Sequence, residues 1–227
     1  ANRIKDLPVR AKELGMNSIA LTDHGVMFGA IDFYKACKAN GVKPIIGCEV
    51  YVAPRGRKDK EPKIDEKYNH LILLAKNNDG YKNLAKLVSL GFTEGFYYKP
   101  RIDKEILEKY HDGLLCLSAC LAGEVSQAIL NNNIEEAKKV ALWFKNLFGE
   151  DYYLEVQNNG IKEQVLVNQK LVELSRELEI PLVATNDAHY LKREDAYNHE
   201  VLLCIQTGKR MNDEDRMRFD TEELYVK

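Results

Sequence analysis

The chain has no apolar run approaching the ~20 residues that a membrane-spanning helix needs. Its opening residues, Ala1-Asn2-Arg3-Ile4-Lys5, carry no apolar stretch of the kind that marks a secretory signal. No membrane partner is expected, and a cytoplasmic location is. Cysteine is sparse. Cys37, Cys48, Cys116, Cys120 and Cys204 are odd in number and include no Cys-x-x-Cys pair. That argues against a disulfide framework or a zinc knuckle and fits a reducing compartment. Neither sign of charge dominates: 33 Lys and Arg face 35 Asp and Glu, for a formal net charge of -2. Such a chain lacks the basic face on which electrostatic nucleic-acid binding depends, so any DNA contact must be local or shared with another domain. Neither Gly-x-Gly-x-x-Gly after a strand nor Gly-x-x-x-x-Gly-Lys-Ser/Thr occurs, and the dinucleotide and P-loop readings therefore lack their phosphate cradle. Internal repeats and low-complexity segments are also missing.

What is present is a chain of 227 residues, 45% hydrophobic and 30% charged, enough for one large domain or two small ones. Ile4, Leu7, Ala11 and Leu14 repeat at helical spacing, and Gly15 ends that stripe. Short apolar runs at 18–22, 43–52, 70–75, 114–117, 152–156 and 181–185 predict strands. Between them, helical patterns cover 28–39, 80–90, 123–131, 135–148, 162–179 and 193–206. Residues 54–67, rich in Pro, Lys, Asp and Glu, predict an exposed loop. Strands alternating with helices predict a parallel α/β fold.

Chemistry-bearing residues gather where strands end. Asp23 and His24 follow the strand at 18–22, Glu49 sits within 43–52, Ser118 and Cys120 follow 114–117, and Asp187 and His189 follow 181–185. In α/β barrels the carboxyl ends of the strands converge on one mouth, where active sites sit. Carboxylates, imidazoles and a thiol in one pocket need a cation to offset their repulsion and poor solvation. Each residue taken singly also has a plain structural reading. Asp23-His24 suits a strand-end turn. A carboxylate inside an apolar strand, as Glu49 is, needs some partner. His70 suits a satisfied core histidine, and Cys120 a small buried hydrophobe or a nucleophile. His111 reads as solvent-facing, His199 stays ambiguous, and Trp143 with most tyrosines reads as core.

Taken in order, Thr22-Asp23-His24-Gly25, Gly47-Cys48-Glu49-Val50-Tyr51, Tyr68-Asn69-His70-Leu71, Leu117-Ser118-Ala119-Cys120-Leu121 and Thr185-Asn186-Asp187-Ala188-His189-Tyr190 resemble the successive motifs of the PHP (polymerase and histidinol phosphatase) domain family. Tyr97-Tyr98-Lys99-Pro100-Arg101-Ile102-Asp103 and Leu202-Leu203-Cys204-Ile205-Gln206-Thr207-Gly208-Lys209 are similar to the branch carried by the alpha subunit of bacterial DNA polymerase III. The resemblance covers essentially the whole chain. It implies a distorted seven-stranded β/α barrel and a cluster of up to three divalent metals, drawn from Zn, Mn, Fe or Mg. His24, Glu49, His70, Cys120, Asp187 and His189 match its ligand positions, and Asp23 matches a residue that orients His24. The family opens on a His-x-His strand. This chain starts after that point, so the first barrel strand and three ligand positions are expected to be missing and metal binding to be weak.

The resemblance further implies a PHP domain over 1–208 and a lead-out toward a polymerase palm over 209–227. It implies phosphoester hydrolysis as a 3′-5′ exonuclease within a nucleotidyltransferase. The guanidinium fork of Arg101 suits a phosphate, and Arg101 reads equally as a surface residue. The implied partners are primer-template DNA and other replicase subunits, including a separate exonuclease. A non-catalytic scaffold that docks that exonuclease, and a free-standing phosphatase, are the rival readings. The polymerase aspartates are expected beyond Lys227. The chain, given primed template and dNTPs, is accordingly expected to extend no primer in a gel assay; clear extension would contradict this.

Overall fold

The structure is a computed structural model and describes residues 2–227. Eight strands form one mixed sheet in the order β4-β5-β2-β3-β6-β7-β8, with β1 paired to β2 off that path. The strands are β1 (Ser18–Leu21), β2 (Lys43–Val52), β3 (Asn69–Ala75), β4 (Phe96–Tyr97), β5 (Lys99–Ile102), β6 (Leu114–Leu117), β7 (Tyr152–Gln157) and β8 (Leu182–Thr185). The helices are α1 (Leu7–Glu13), α2 (Ala30–Asn40), α3 (Asn78–Thr93), α4 (Lys104–Tyr110), α5 (Glu124–Leu130), α6 (Ile134–Phe148), α7 (Lys162–Leu178) and α8 (Ala196–Thr207).

β2 is the spine. Residues 43–46 run parallel to β1, 47–52 run antiparallel to β3, and 51–52 run parallel to β5. The sheet is thus not all-parallel as the strand–helix alternation predicts. β2–β3, β3–β6 and β4–β5 are antiparallel. The reason lies in the 53–68 connection. A parallel return needs a long crossover, usually a packed helix, and this polar segment offers no apolar stripe for one. The sheet curls into a half-barrel. It does not close, since among the described residues β1 pairs with β2 alone and β8 with β7 alone.

The core lies between sheet and helices. Cys48, Val50 and Val52 of β2, Leu71 and Leu73 of β3, Cys116 of β6 and Leu154 of β7 meet Leu84 and Leu87 of α3, Phe144 of α6 and Leu171 of α7. Each such side chain contributes roughly 1.5–3 kcal/mol on full burial. The stripes Ala137-Val140-Ala141-Phe144 and Val167-Leu171-Leu174 face inward as their spacing predicts. Helix starts are closed by side chains: Asn77 Oδ1 accepts from Gly80 N at 2.9 Å and Asp103 Oδ1 from Ile106 N at 3.1 Å. A second cluster joins Leu7 and Ala11 of α1 to Phe33 and Cys37 of α2, and Val226 packs into it. The end of the 209–227 segment therefore lies back on the domain, with Leu224 N donating to Tyr190 Oη at 3.3 Å.

The 54–67 loop is not simply exposed. Asp65 is fully buried and takes both a guanidinium fork from Arg55, at 3.0 and 2.5 Å, and the amide of Glu61, at 2.7 Å. Arg57 is buried against Asp103, Glu94 and Glu105. Arg101 closes the loop from beneath. It is 0% exposed, and its guanidinium donates to four carbonyls: Gly95 (3.1 Å), Asp65 (2.6 Å), Arg57 (3.1 Å) and Asp59 (2.9 Å). Burial pushes its pKa down, against the pull of Asp65. This corrects the reading of Arg101 as a phosphate ligand: the fork is spent on the loop backbone and has no face toward solvent. Arg101→Ala would strand those carbonyls and is expected to cost about 3 kcal/mol or more, since each buried group left unpaired costs about 1–3 kcal/mol. Urea denaturation checks it; an unchanged midpoint would show that the clamp contributes nothing.

Candidate metal centre

Strand alternation assigns the side chains of β2 to two faces. Cys48, Val50 and Val52 enter the core, and Glu49 and Tyr51 face the other way. His24 continues β1 beside β2: it forms a parallel bridge with Glu49, Glu49 N donates to Asp23 O at 3.0 Å, and Gly25 N donates to Glu49 O at 2.8 Å. Gly25 follows at φ 67°, where a Cβ would stand 2.9 Å from both Tyr51 and Pro100. Only glycine lets the chain turn away this close to the sheet. On β3, Tyr51 stands opposite His70, so Glu49 and His70 are diagonal neighbours on one face.

These placements bring one atom each of His24, Glu49 and His70 within 4.8 Å of one another. Glu49 Oε1 lies 3.3 Å from His24 Nδ1 and closer still to His70 Nδ1. Cys120 Sγ is 3.6 Å from the same His70 nitrogen. The His189 ring stands 6.1 Å from that of His24, and its Nδ1 lies 2.8 Å from Asp187 O and 3.8 Å from Asp187 Oδ1. Aromatic rings hold the imidazoles. Tyr68 stacks on His70 at 6.0 Å, Tyr51 meets it edge-on at 5.4 Å, and His199 and Phe219 flank His189 at 5.3 and 5.2 Å. Of the six residues matched to ligand positions, His24, Glu49 and His70 form the compact group, Cys120 touches it through His70, and His189 with Asp187 stands beside it next to His24. Asp23 serves through its backbone: its carbonyl takes Glu49 N, while Nδ1 of His24 faces Glu49. Arg101 lies in the clamp under the loop, away from this group.

The electrostatics fit a cation. Burial pushes the Glu49 carboxyl up, but His24 and His70 outweigh it and hold it at about 2. Glu49 draws the His24 pKa upward against burial. Burial raises Asp187 and Cys120, and repulsion from Glu49 adds to both. Oε1 of Glu49 is buried without a well-formed hydrogen bond, its contacts being ion-pair approaches to ring nitrogens. Imidazole, carboxylate and thiolate together form a donor set for a divalent transition metal. The backbone carries strain here: buried Ala119 has φ 64° and Asp187 φ 45°. Left-handed non-glycine residues cost of order 1–3 kcal/mol each and collect at functional sites.

One residue of this region has no counterpart in the sequence reading. Glu155, on β7, is buried, and burial raises its pKa to about 7, with repulsion from Asp187 and Glu49 adding to it. The signal was available, because Glu155 is a carboxylate inside an apolar strand, as Glu49 is.

Residues 1–159 match the PHP domain. The chain belongs to the PHP domain family. It is 52% identical over 228 residues to the DNA polymerase III subunit alpha of Borreliella burgdorferi, covering 100% of this chain and 20% of that protein. The counterpart from Treponema pallidum is 48% identical over 229 residues, again covering 100% and 20%. This PHP chain spans about a fifth of the length of these relatives. Among solved structures, the chain is similar to an amidohydrolase from Chromobacterium violaceum with a TM-score of 0.48, 10% identity and 82% of each chain covered.

An ion binding here displaces any proton on His24, whose pKa stands above its ordinary 6.5. Metal affinity is therefore expected to rise with pH through the raised His24 value and to go on rising less steeply above it, because burial keeps the Cys120 thiol protonated there. Glu49 adds no slope there, being ionised well below neutrality. In the metal-free chain the sign reverses: the His24–Glu49 pair stabilises fully between the ordinary Glu value of 4.5 and pH 6.5, fades as pH climbs through the raised His24 value, and is lost at the acid end as pH falls toward about 2. Calorimetric metal titrations across this range check the first statement; an unchanging slope would remove His24 from the ligand set.

Proposed function

We propose that the mouth of this PHP domain is a divalent-metal centre for phosphoester hydrolysis, held by His24, Glu49, His70, Cys120, Asp187 and His189. The convergence of His24, Glu49 and His70 within 4.8 Å carries this reading. An ion bound there supplies Lewis acidity and lowers the pKa of bound water toward ~7. The chain's own part is to orient and to exclude. Glu49 fixes both imidazoles from a buried position, Tyr51 and Tyr68 hold the ring of His70, and the curled sheet closes the site from below. The metal is drawn from Zn, Mn, Fe or Mg, with the thiol of Cys120 favouring the softer ions.

The likeness to DNA polymerase III alpha subunits supports a place in a cytoplasmic replicase. There the centre would trim the 3′ end of a primer strand on DNA brought by the rest of the polymerase. Other replicase subunits, including a separate exonuclease, are the proposed protein partners. In this reading nucleotidyl transfer belongs to the whole subunit.

The test is elemental analysis of protein purified without a histidine tag, beside the Asp187→Ala/His189→Ala variant, followed by digestion of a 3′-labelled DNA strand. Stoichiometric metal in the parent, its loss in the variant and chelator-sensitive release of 3′ nucleotides are expected. Glu49→Gln is expected to lower metal affinity by more than the roughly 10–100-fold that loss of a ligand's supporting partner costs. Metal without hydrolysis would favour the scaffold reading, and absence of metal from the parent would sink the centre.

A further inference from the structure

Two loops deliver Cys120 and Asp187 to the mouth, and each carries a left-handed non-glycine residue, Ala119 at φ 64° and Asp187 itself at φ 45°. Such backbone persists only where its surroundings over-determine it. Both loops are tied to one residue of the strand between them. Glu155 N donates to Ser118 Oγ at 2.8 Å, and Ser118 N donates back to Tyr153 O at 3.0 Å, which pins the exit of β6 two residues before Cys120. On the other side Thr185 Oγ1 donates to Glu155 Oε1, which pins the exit of β8 two residues before Asp187.

The carboxylate is itself held from behind. Gln157 Nε2 donates to Glu155 Oε1 at 3.0 Å, Gln164 Nε2 on α7 to Gln157 Oε1 at 3.2 Å, and Asn159 N to Gln164 Oε1 at 2.8 Å. Glu155, Gln157, Asn159 and Gln164 are all buried. Burying a carboxylate and three side-chain amides beside an apolar core is costly unless the groups serve one another. Yet Glu155 Oε2 is buried with no hydrogen-bond partner, on the residue whose charge acts on Asp187 and Cys120. Packing alone gives no reason to keep a carboxylate there, because leucine would fill the space without the penalty.

We infer that Glu155 is a positioning residue of the metal centre, bracing the β6 and β8 exits so that Cys120 and Asp187 meet the same ion. This rests on the metal-centre reading above. It assigns a role to a residue that binds no ion itself and predicts that the ligand geometry, not only the fold, depends on it.

Cobalt(II) titration of the metal-free protein tests this, because a thiolate-to-cobalt absorption band reports whether Cys120 reaches the ion; Cys120→Ser identifies that band. In Glu155→Ala, which frees the β8 exit but keeps the amide bond to Ser118, cobalt affinity is expected to fall by about 10–100-fold, the usual effect of removing a ligand's support, and the cobalt d–d bands to shift as Asp187 leaves the ion. Thr185→Val, which removes one hydroxyl, is expected to shift both in the same direction. Ser118→Ala, which frees the β6 exit, is expected to fade the thiolate band. Glu155→Gln, which keeps an oxygen for Thr185, is expected to restore affinity and d–d bands. A merely structural Glu155 would lower the unfolding midpoint while leaving the cobalt spectrum of the folded protein intact. Folded Glu155→Ala and Thr185→Val proteins with the parent's spectrum and affinity would overturn the inference while leaving the metal centre standing. If Glu155→Ala does not fold, Thr185→Val decides alone. A parent that takes up no cobalt would instead refute the metal-centre reading, and this inference with it.

Discussion

One carboxylate organises the site. Glu49 sits within β2, buried, with an imidazole from the neighbouring segment on either side: His24 from the loop after β1 and His70 from β3. A lone buried carboxylate would take up a proton and stay neutral, since desolvation raises its pKa. Here the two rings reverse the sign and hold Glu49 at about 2. The anion therefore survives burial, and its survival depends on β1, β2 and β3 being in register. Sliding β3 by one residue would turn His70 to the opposite face and leave Glu49 half-satisfied. The electrostatic requirement of one residue thus polices the pairing of three strands.

The same logic, with opposite charge, operates beneath the mouth. Arg101 is a buried cation whose donors are spread over four backbone carbonyls, while the carboxylate of nearby Asp65 is occupied by Arg55. Carbonyl dipoles replace water for the guanidinium, and the guanidinium in turn fixes a polar loop whose one large aliphatic residue, Ile64, is exposed and packs no core of its own. Anion at the mouth and cation under the loop are both paid for locally, which leaves the apolar cluster around Leu73, Leu84 and Phe144 free of polar intrusions.

Much of this was legible in the residues. His24, Cys120, Asp187 and His189 follow strand ends, His70 stands near the start of β3 and Glu49 within β2, and strand ends of an α/β sheet meet. The motifs place them in order. Strand direction was less legible, because an apolar run looks the same in either sense and only the connection decides. β4 and β5 were missed because a two-residue strand and a four-residue strand containing Pro100 show no period. α4 was missed because seven residues barely repeat a helical stripe, although its cap Asp103 was in plain view. Arg101 misled because a guanidinium near a motif suggests phosphate, and nothing local distinguishes a phosphate from four carbonyls. Glu155 was passed over because its partners Thr185 and Gln157 lie on two strands whose pairing the sequence does not display.

The ligand positions span residues 24 to 189, so most of the chain must be in place before they converge. A bound ion then touches elements far apart in sequence and favours the folded state alone, stabilising it by RT ln(1 + [L]/Kd), about 2.7 kcal/mol at a hundredfold excess over Kd. That matters for a sheet in which, among the described residues, β1, β4 and β8 each pair on one side only, and which carries two left-handed residues beside its proposed ligands. The strain at Ala119 and Asp187 costs free energy in the metal-free protein, and ligation by Cys120 and Asp187 can offset it, so folding and metal binding draw on the same geometry. A carboxylate that holds those loops before the ion arrives reduces what binding must spend on ordering them. In the proposed centre, pre-organisation would fall to residues such as Glu155 and Thr185, and charge compensation to the ligands and the ion.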